Sequence, residues 1–226
     1  MSNFTDFNVL ERTPGVHLYY AANPDDLKEA DIVIIPGSKN TISDMQYLRR
    51  SGMAKTIFQH HKQNKAVYGI CGGYQIMGKE ITDPKQVEGD IPAIPGLGIL
   101  PVKTVLSPEK TTEQCTFSFL DNDQNCKGYE IHMGETYREG GEALCIIHGK
   151  YEDGCYMNSK TWGTYIHGIF DNSSVINQIL NKNNSTEAAP DFNYETFKQE
   201  QYDKLADLVR QHSDMDLIYK NLEAEL

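Results

Sequence analysis

Basic residues are the first scarcity in this 226-residue chain. Only 21 Lys and Arg stand against 32 Asp and Glu, a formal net charge of −11, and no basic cluster interrupts the acidic balance. Phosphate backbones and anionic lipid surfaces would be repelled, so neither nucleic acid nor membrane is expected as a partner. No apolar run approaches the roughly 18 residues that a spanning helix needs. The opening MSNFTDFNVL has neither a cationic start nor an apolar signal core, which points to the cytoplasm. CxxC and HxxxH do not occur. PGLGILP (95–101) lacks the third glycine of a dinucleotide loop, and PGSKNT (36–41) lacks the spacing of a P-loop. No metal or cofactor is therefore expected in this domain. Five cysteines, Cys71, Cys115, Cys126, Cys145 and Cys155, make an odd number without a compact framework, as in free thiols of a reducing compartment.

What is present reads as a soluble α/β chain. ADIVIIPGSKNT holds a short buried-type strand, Ile32 to Ile35, ended by Pro36-Gly37. Residues 43–63 carry helical spacing through Met45, Leu48, Met53 and Ile57, with a break at Gly52. KAVYGI is a second apolar strand, and GGYQIMGKEI reads as the helix after it. Apolar strands alternating with helices predict a mostly parallel sheet flanked by helices. After Pro95 the texture changes to short β-rich pieces, VKTVLS, CTFSFL, GYEIHMGETY, ALCIIHG, GCYMN and GTYIHGIF, which read as added antiparallel strands. DNDQN (121–125) and residues 181–193 read as polar loops. The last forty residues look helical through Tyr202, Leu205, Val209, Leu217, Ile218 and Leu222. A single domain over 1–226 is expected.

A thiol stands where the second apolar strand turns into a helix. Such a sharp turn needs small neighbours, here Gly69, Gly72 and Gly73, and it holds its central side chain out at the sheet's carboxyl edge. The helix start behind it would lower the thiol pKa and later bind an oxyanion. The same pattern also fits a buried structural cysteine. A nucleophile needs a base. His60 and His61 read as solvated, His212 lies in the C-terminal helix, and His17 lies in a polar approach to a strand. His167 ends a β-rich segment before a glycine and is the candidate. Cys145 and His148 would point to opposite faces of a strand and cannot share a metal. Glu130 and His132 share a face, which fits either a pocket lining or a solvated surface.

These motifs resemble a known family. GICGGYQ (69–75) is similar to the nucleophile motif of class I, triad-type glutamine amidotransferases. PGSKNT, GYEIHMGET (128–136) and YIHGIFDN (165–172), in that order, narrow the resemblance. With SNFTDF at the start and LADLVRQHSDMDLIY near the end, it runs nearly end to end to the C-terminal glutaminase domains of the cobyric acid synthases. The resemblance implies a flavodoxin-like class I fold in which Cys71 attacks the side-chain amide of L-glutamine and His167 serves as base. It also implies that Gly37, Ser38, Gly72 and Gly73 line the oxyanion and substrate site, and that Gln75 holds the amino-acid end. Glu130 and His132 are counted with the substrate-binding residues.

Two departures follow from the resemblance. The family's glutamate, two residues after the histidine, is replaced by Ile169. Asp171, Glu130 or a carboxylate from a partner domain are the possible stand-ins, and weak glutaminase activity of the lone chain is expected. The family's N-terminal ATP-dependent synthetase domain, where ATP and Mg would bind and through which a corrinoid would be reached, is not in this sequence. The chain is therefore expected to be the C-terminal part of a longer synthetase, possibly without its first core strand, which would leave an exposed sheet edge. Two alternatives remain open: a stand-alone glutaminase serving a Mur-ligase-like partner, and a non-catalytic remnant.

Overall fold

The structure is a computed structural model that describes residues 3–120, 122–182 and 194–224. A single 3-10 turn, Phe4–Phe7, leads into α1 (Asn8–Arg12). Ile32–Ile35 forms β1, Thr41–Arg50 α2, Met53–Lys62 α3, Ala66–Ile70 β2 and Gly72–Met77 α4. Asn40 caps α2 by accepting the Ser43 N–H at 2.8 Å. The break expected at Gly52 is present, with φ of 84°, a left-handed conformation that favours glycine. The helix after β2 is shorter than its apolar pattern suggested. It stops at Met77, and Glu80–Thr82 begins a strand, β3.

The remaining strands are β4 (Ala93–Pro95), β5 (Val102–Phe119), β6 (Asn122–Arg138), β7 (Cys145–Ile147), β8 (Glu152–Asp153), β9 (Cys155–Asn158), β10 (Thr161–Thr164) and β11 (Ile166–His167). Helix α5 covers Ser173–Lys182. One sheet runs β1-β2-β10-β9; its first three strands are parallel, β9 is antiparallel, and β1 lies at its edge. A second, mostly antiparallel sheet runs β11-β6-β5-β3-β4, with β7 and β8 attached through β5. The α/β class holds, with a smaller parallel core than the sequence pattern suggested.

The largest difference is the β5–β6 hairpin. The pieces VKTVLS and CTFSFL are one strand of 18 residues, and its partner has 17. Pro108 falls in the stretch between Val105 and Lys110 where the register shifts, opposite Gly134 with φ of 90°. A bulge tolerates proline, so this proline marks a kink within one strand rather than a strand end. Residues 122–125, read as loop, open β6. The polar loop read at 181–193 lies, from residue 183, outside the described residues.

The side-chain period of two sorts β2 between two cores. Val67 packs with Val33, Ile35, Met45, Leu48, Ile57, Ile76 and Met77 on the α2–α4 side. Tyr68 points the other way and stacks on Trp162 at 4.2 Å, near Phe119 and Phe170. The chain divides into two compact units, Met1–Pro190 and Asp191–Leu226. The second consists of α6 (Tyr194–His212) and α7 (Met215–Ala224), with Asp214 accepting the Leu217 N–H at 3.0 Å.

The end of β1 and the start of α4 touch through a glycine. A Cβ on Gly73 would lie 1.9 Å from the Ile35 carbonyl oxygen and 2.9 Å from that of Pro36, both backbone atoms without freedom to move. Gly73→Ala is expected to cost about 3 kcal/mol or more of unfolding free energy in urea titrations. Gly140→Ala, where the added carbon would meet Pro101 Cγ at an ordinary 3.5 Å, should stay within about 0.5 kcal/mol of the wild type. Equal losses would remove the close approach as the explanation.

Candidate active site

Cys71 sits between β2 and α4 with φ 52° and ψ −111°, backbone that non-glycine residues rarely adopt. Strain of this kind costs roughly 1–3 kcal/mol and persists only when its surroundings enforce it. They do so on both sides. The Cys71 N–H donates to the Thr164 carbonyl of β10 at 2.8 Å. Gly72 behind it lies so close to Ser38 that a Cβ would meet Ser38 N and Cβ at 2.7 Å. Ser38 in turn is pinned: its hydroxyl donates to Asp44 at 2.6 Å and accepts the Asn40 N–H at 3.1 Å. Buried Gly72 and half-buried Ser38 thus meet beside the cysteine turn, with buried Gly37 next to Ser38 in the chain and Gly73 against the end of β1.

The sulfur departs from expectation in two ways. It is buried, only 6% exposed, because β6 crosses it, and the thiol donates to the Ile131 carbonyl at 3.5 Å. Its pKa is also pushed up, to about 12, rather than down. Burial is the main cause. The Gly72 N–H aimed at the sulfur pulls the other way, while the charges of Asp6, Asp153 and Glu88 add to the rise. A six-residue helix cannot offset that desolvation. At neutral pH the side chain is a neutral thiol.

His167, 2% exposed, lies on β11, where it pairs with Tyr129 of β6 and stacks on its ring at a centroid distance of 5.2 Å. Cys71 is anchored on the same strand at Ile131, two residues further on, a backbone separation of about 7 Å. The carboxylate missing at position 169 is supplied by Asp6, which the sequence reading passed over. Asp6 Oδ2 is 2.6 Å from His167 Nδ1, and Asp6 Oδ1 accepts the Gly168 N–H at 3.1 Å. Asp6 is itself only 3% exposed. Asn3, one turn earlier, places Nδ2 2.8 Å from the same His167 nitrogen and 3.1 Å from the Tyr129 hydroxyl. Ile169 is fully buried beside Phe170. Glu130 is not the stand-in, because its carboxylate takes the Tyr151 hydroxyl and lies 3.6 Å from His132 Nε2. Only a resemblance to SNFTDF pointed at the first turn, and nothing in its spacing singled out Asp6.

The other expected residues form a second group. Gln75 is buried with both ends used: Oε1 accepts from Thr41 at 3.0 Å, and Nε2 donates to the Met133 carbonyl and to Tyr165 Oη, each at 3.0 Å. In this state it ties α2, α4 and β6 together, and a substrate would have to displace one of these partners. His132 stacks on Tyr165 at 3.8 Å and faces the Gly134 carbonyl through Nδ1 at 3.2 Å. Burial raises the Glu130 pKa, but the bonds from His132 and Tyr151 outweigh it and the net shift is downward. Asp153, which the sequence reading did not single out, accepts from the Thr164 hydroxyl and the Tyr165 N–H and so fixes the segment that holds Cys71. Burial lifts its pKa to about 6.

His60, read as solvated, is buried, with Nε2 3.2 Å from the Ala66 carbonyl. His17 and His212 are exposed. All five cysteines are buried and unpaired. Among the described residues no group of three His, Cys, Asp or Glu side chains is arranged to hold a metal ion.

A family model described as a CobB/CobQ-like glutamine amidotransferase domain matches residues 1–175. The chain is 49% identical to a cobyric acid synthase of Parabacteroides distasonis over 99% of its own length and 46% of that protein. It is 50% identical to the cobyric acid synthase of Bacteroides fragilis over 98% and 46%, and 43% identical to that of Clostridium perfringens strain SM101 over 95% and 45%. It thus spans less than half the length of these relatives. A crystal structure of a glutamine amidotransferase superposes with TM-score 0.58 at 16% identity, covering 80% of this chain and 91% of that one. PurLQS from Thermotoga maritima superposes with TM-score 0.58 at 15% identity, covering 79% and 92%.

Two measurements follow from the electrostatics. Without glutamine, alkylation of Cys71 by iodoacetamide at neutral pH should be at least tenfold slower than that of a free cysteine peptide, and still climbing near pH 10. A plateau near neutrality would show an ionised thiol. Asp153 holds its proton to about pH 6 when folded, against an ordinary 3.8. Its contribution to stability is therefore fully present below about pH 4 and is lost as pH rises through about 6, a loss of about 3 kcal/mol. Urea unfolding of wild type and Asp153→Asn at about pH 4.5 and 7.5 should show the wild type losing ground to the variant as pH rises; the opposite slope would place the ionised form as the favoured one.

Proposed function

The chain belongs to the CobB/CobQ-like glutamine amidotransferase domain family, and from that premise we propose that it hydrolyses L-glutamine on Cys71 and supplies ammonia to an ATP-dependent amidation of corrinoid side chains. The observation that carries the reading is the strained Cys71 turn anchored on the same strand as a histidine backed by a buried carboxylate.

Each step uses groups already in place. Glutamine binds with its side-chain amide at Sγ. As the sulfur attacks the amide carbon, the thiol proton passes to His167 Nε2, because a thiol with its pKa near 12 is a nucleophile only as it loses that proton. The amide oxygen takes up the electron pair against the Gly72 N–H and the Ser38 backbone, the oxyanion site of this turn. His167 then gives its proton to departing ammonia and leaves a γ-glutamyl thioester on Cys71. Water, deprotonated by the same imidazole, attacks the thioester carbon; the carbon–sulfur bond breaks, glutamate leaves, and the imidazolium returns its proton to the Cys71 sulfur. Asp6 stabilises the imidazolium that forms twice in the cycle and keeps Nε2 turned to the sulfur.

The acceptor is the finer part of the proposal. The relatives are named cobyric acid synthases, and we take cobyrinic acid a,c-diamide as the molecule whose carboxylates become amides. ATP, Mg and that corrinoid would be bound by the synthetase part of a longer chain, in the cytoplasm. Among the described residues no helix is long and apolar enough to cross a membrane.

A diazo-ketone analogue of L-glutamine should add its mass to the Cys71 peptide and abolish glutaminase activity. Cys71→Ser should stay unlabelled, with kcat reduced at least a thousandfold. Failure to label Cys71 at any concentration would remove the thioester route.

A further inference from the structure

His167 Nδ1 has two neighbours with opposite demands. Asp6 Oδ2 at 2.6 Å can only accept a hydrogen bond, and Asn3 Nδ2 at 2.8 Å can only donate one. A single ring nitrogen cannot satisfy both. When Nδ1 carries the proton it donates to Asp6, and Nε2 is bare and able to receive the thiol proton. When Nδ1 is bare it accepts from Asn3, and Nε2 carries the proton and is useless as a base. The imidazolium formed during catalysis has hydrogen on both nitrogens, so it suits Asp6 and meets the Asn3 N–H head on.

Both side chains ride on one turn. The Asp6 N–H donates to the Asn3 carbonyl at 3.1 Å, and Asn3 is held at φ 67°. The turn is anchored behind Asp6, where Phe7 packs on Phe170 at 6.0 Å. In front, Phe4 is exposed and meets exposed Tyr20 edge-on at 5.1 Å. In the orientation seen, the Tyr129 hydroxyl oxygen accepts from the same Asn3 Nδ2 at 3.1 Å.

We propose that Asn3 and Asp6 are rival positioning residues that set the tautomer of His167: Asp6 selects the form that accepts the cysteine proton, and Asn3 opposes it. The brake is useful only if the protein is the ammonia-releasing glutaminase argued above, and in that sense the proposal rests on that reading. Ammonia made with no acceptor waiting is wasted, and a turn carrying both partners can shift the balance by a small movement of residues 3–6.

The test uses the full chain labelled with nitrogen-15 and assigned through His167→Gln. The ring-nitrogen shifts of His167 report its tautomer without any turnover. Asn3→Ala should move them towards the Nδ1-protonated form and raise glutaminase kcat about fivefold, with KM little changed. Asp6→Asn should move them to the Nε2-protonated form and lower kcat at least a hundredfold, and Asp6→Glu should restore part of it. Thermal unfolding of Asn3→Ala separates a brake from a structural contact. A kcat that falls with the melting temperature, or ring shifts indifferent to Asn3, overturns the proposal. If no variant turns over glutamine, the ring shifts still decide the tautomer question, while diazo-ketone labelling of Cys71 decides the glutaminase reading separately.

Discussion

The Asp6 carboxylate reaches across 161 positions of sequence to hold His167 Nδ1 and the neighbouring Gly168 N–H with its two oxygens. The rest of the site depends on that pair of bonds. A buried imidazole without a carboxylate would lose much of its ability to become cationic, since burial disfavours the charged form. With Asp6 beside it, the charge that appears during proton transfer is met at once by a fixed opposite charge. Asp6 itself avoids the cost of an unpaired buried carboxylate by accepting from two donors. Each partner makes the other's burial tolerable.

The cysteine is organised on the opposite plan. The charges that act most strongly on it are acidic, and desolvation outweighs the Gly72 N–H, so its proton stays on until something removes it. A free thiolate in this acidic chain would also sit near Asp6, Asp153 and Glu88, whose charges oppose it. In the proposed mechanism, reactivity is therefore placed in the transition state, when the proton moves to His167 as the carbon–sulfur bond forms. The glycine contacts that hold Gly72 against Ser38 and Gly73 against Ile35 keep the oxyanion donors fixed during that event. Preorganised donors need no reorientation as charge develops, which is why rigid backbone serves better there than mobile side chains.

What could be read in the sequence was local. The Cys71 turn announces itself in a few residues, because the strained φ requires glycine neighbours and an apolar strand before it. Gly52 and the helices on either side were legible for the same reason. The β5–β6 hairpin was not, since Pro108 and the polar residues of its bulge look like a strand end until the partner strand is seen. His60 looked solvated beside His61 and Lys62, yet packing turns it inward. Asp6 lay deepest. It stands in a polar stretch without period, and its partner is at the far end of the body, so no spacing rule connects them. The absence at Ile169 was visible; the replacement was a tertiary fact. The thiol's neutrality was hidden too, because it depends on which strand covers the sulfur.

Moving the carboxylate from position 169 to the first turn changes more than its address. A glutamate two residues after the histidine would share its backbone, and the distance between them could hardly vary without unfolding the 3-10 turn Ile169–Asp171. Ile169 instead goes wholly into the aromatic core beside Phe170, where a carboxylate would be desolvated without a partner. The carboxylate now rides on a separate turn, fixed to the body through Phe7 and the Gly168 N–H, with Phe4 exposed. The base can thus be tuned by shifting a few residues, while the strands that carry Cys71 and His167 stay where they are. Separating the orienting group from the scaffold lets the proposed tautomer balance of His167 change without any change in the strands that carry it.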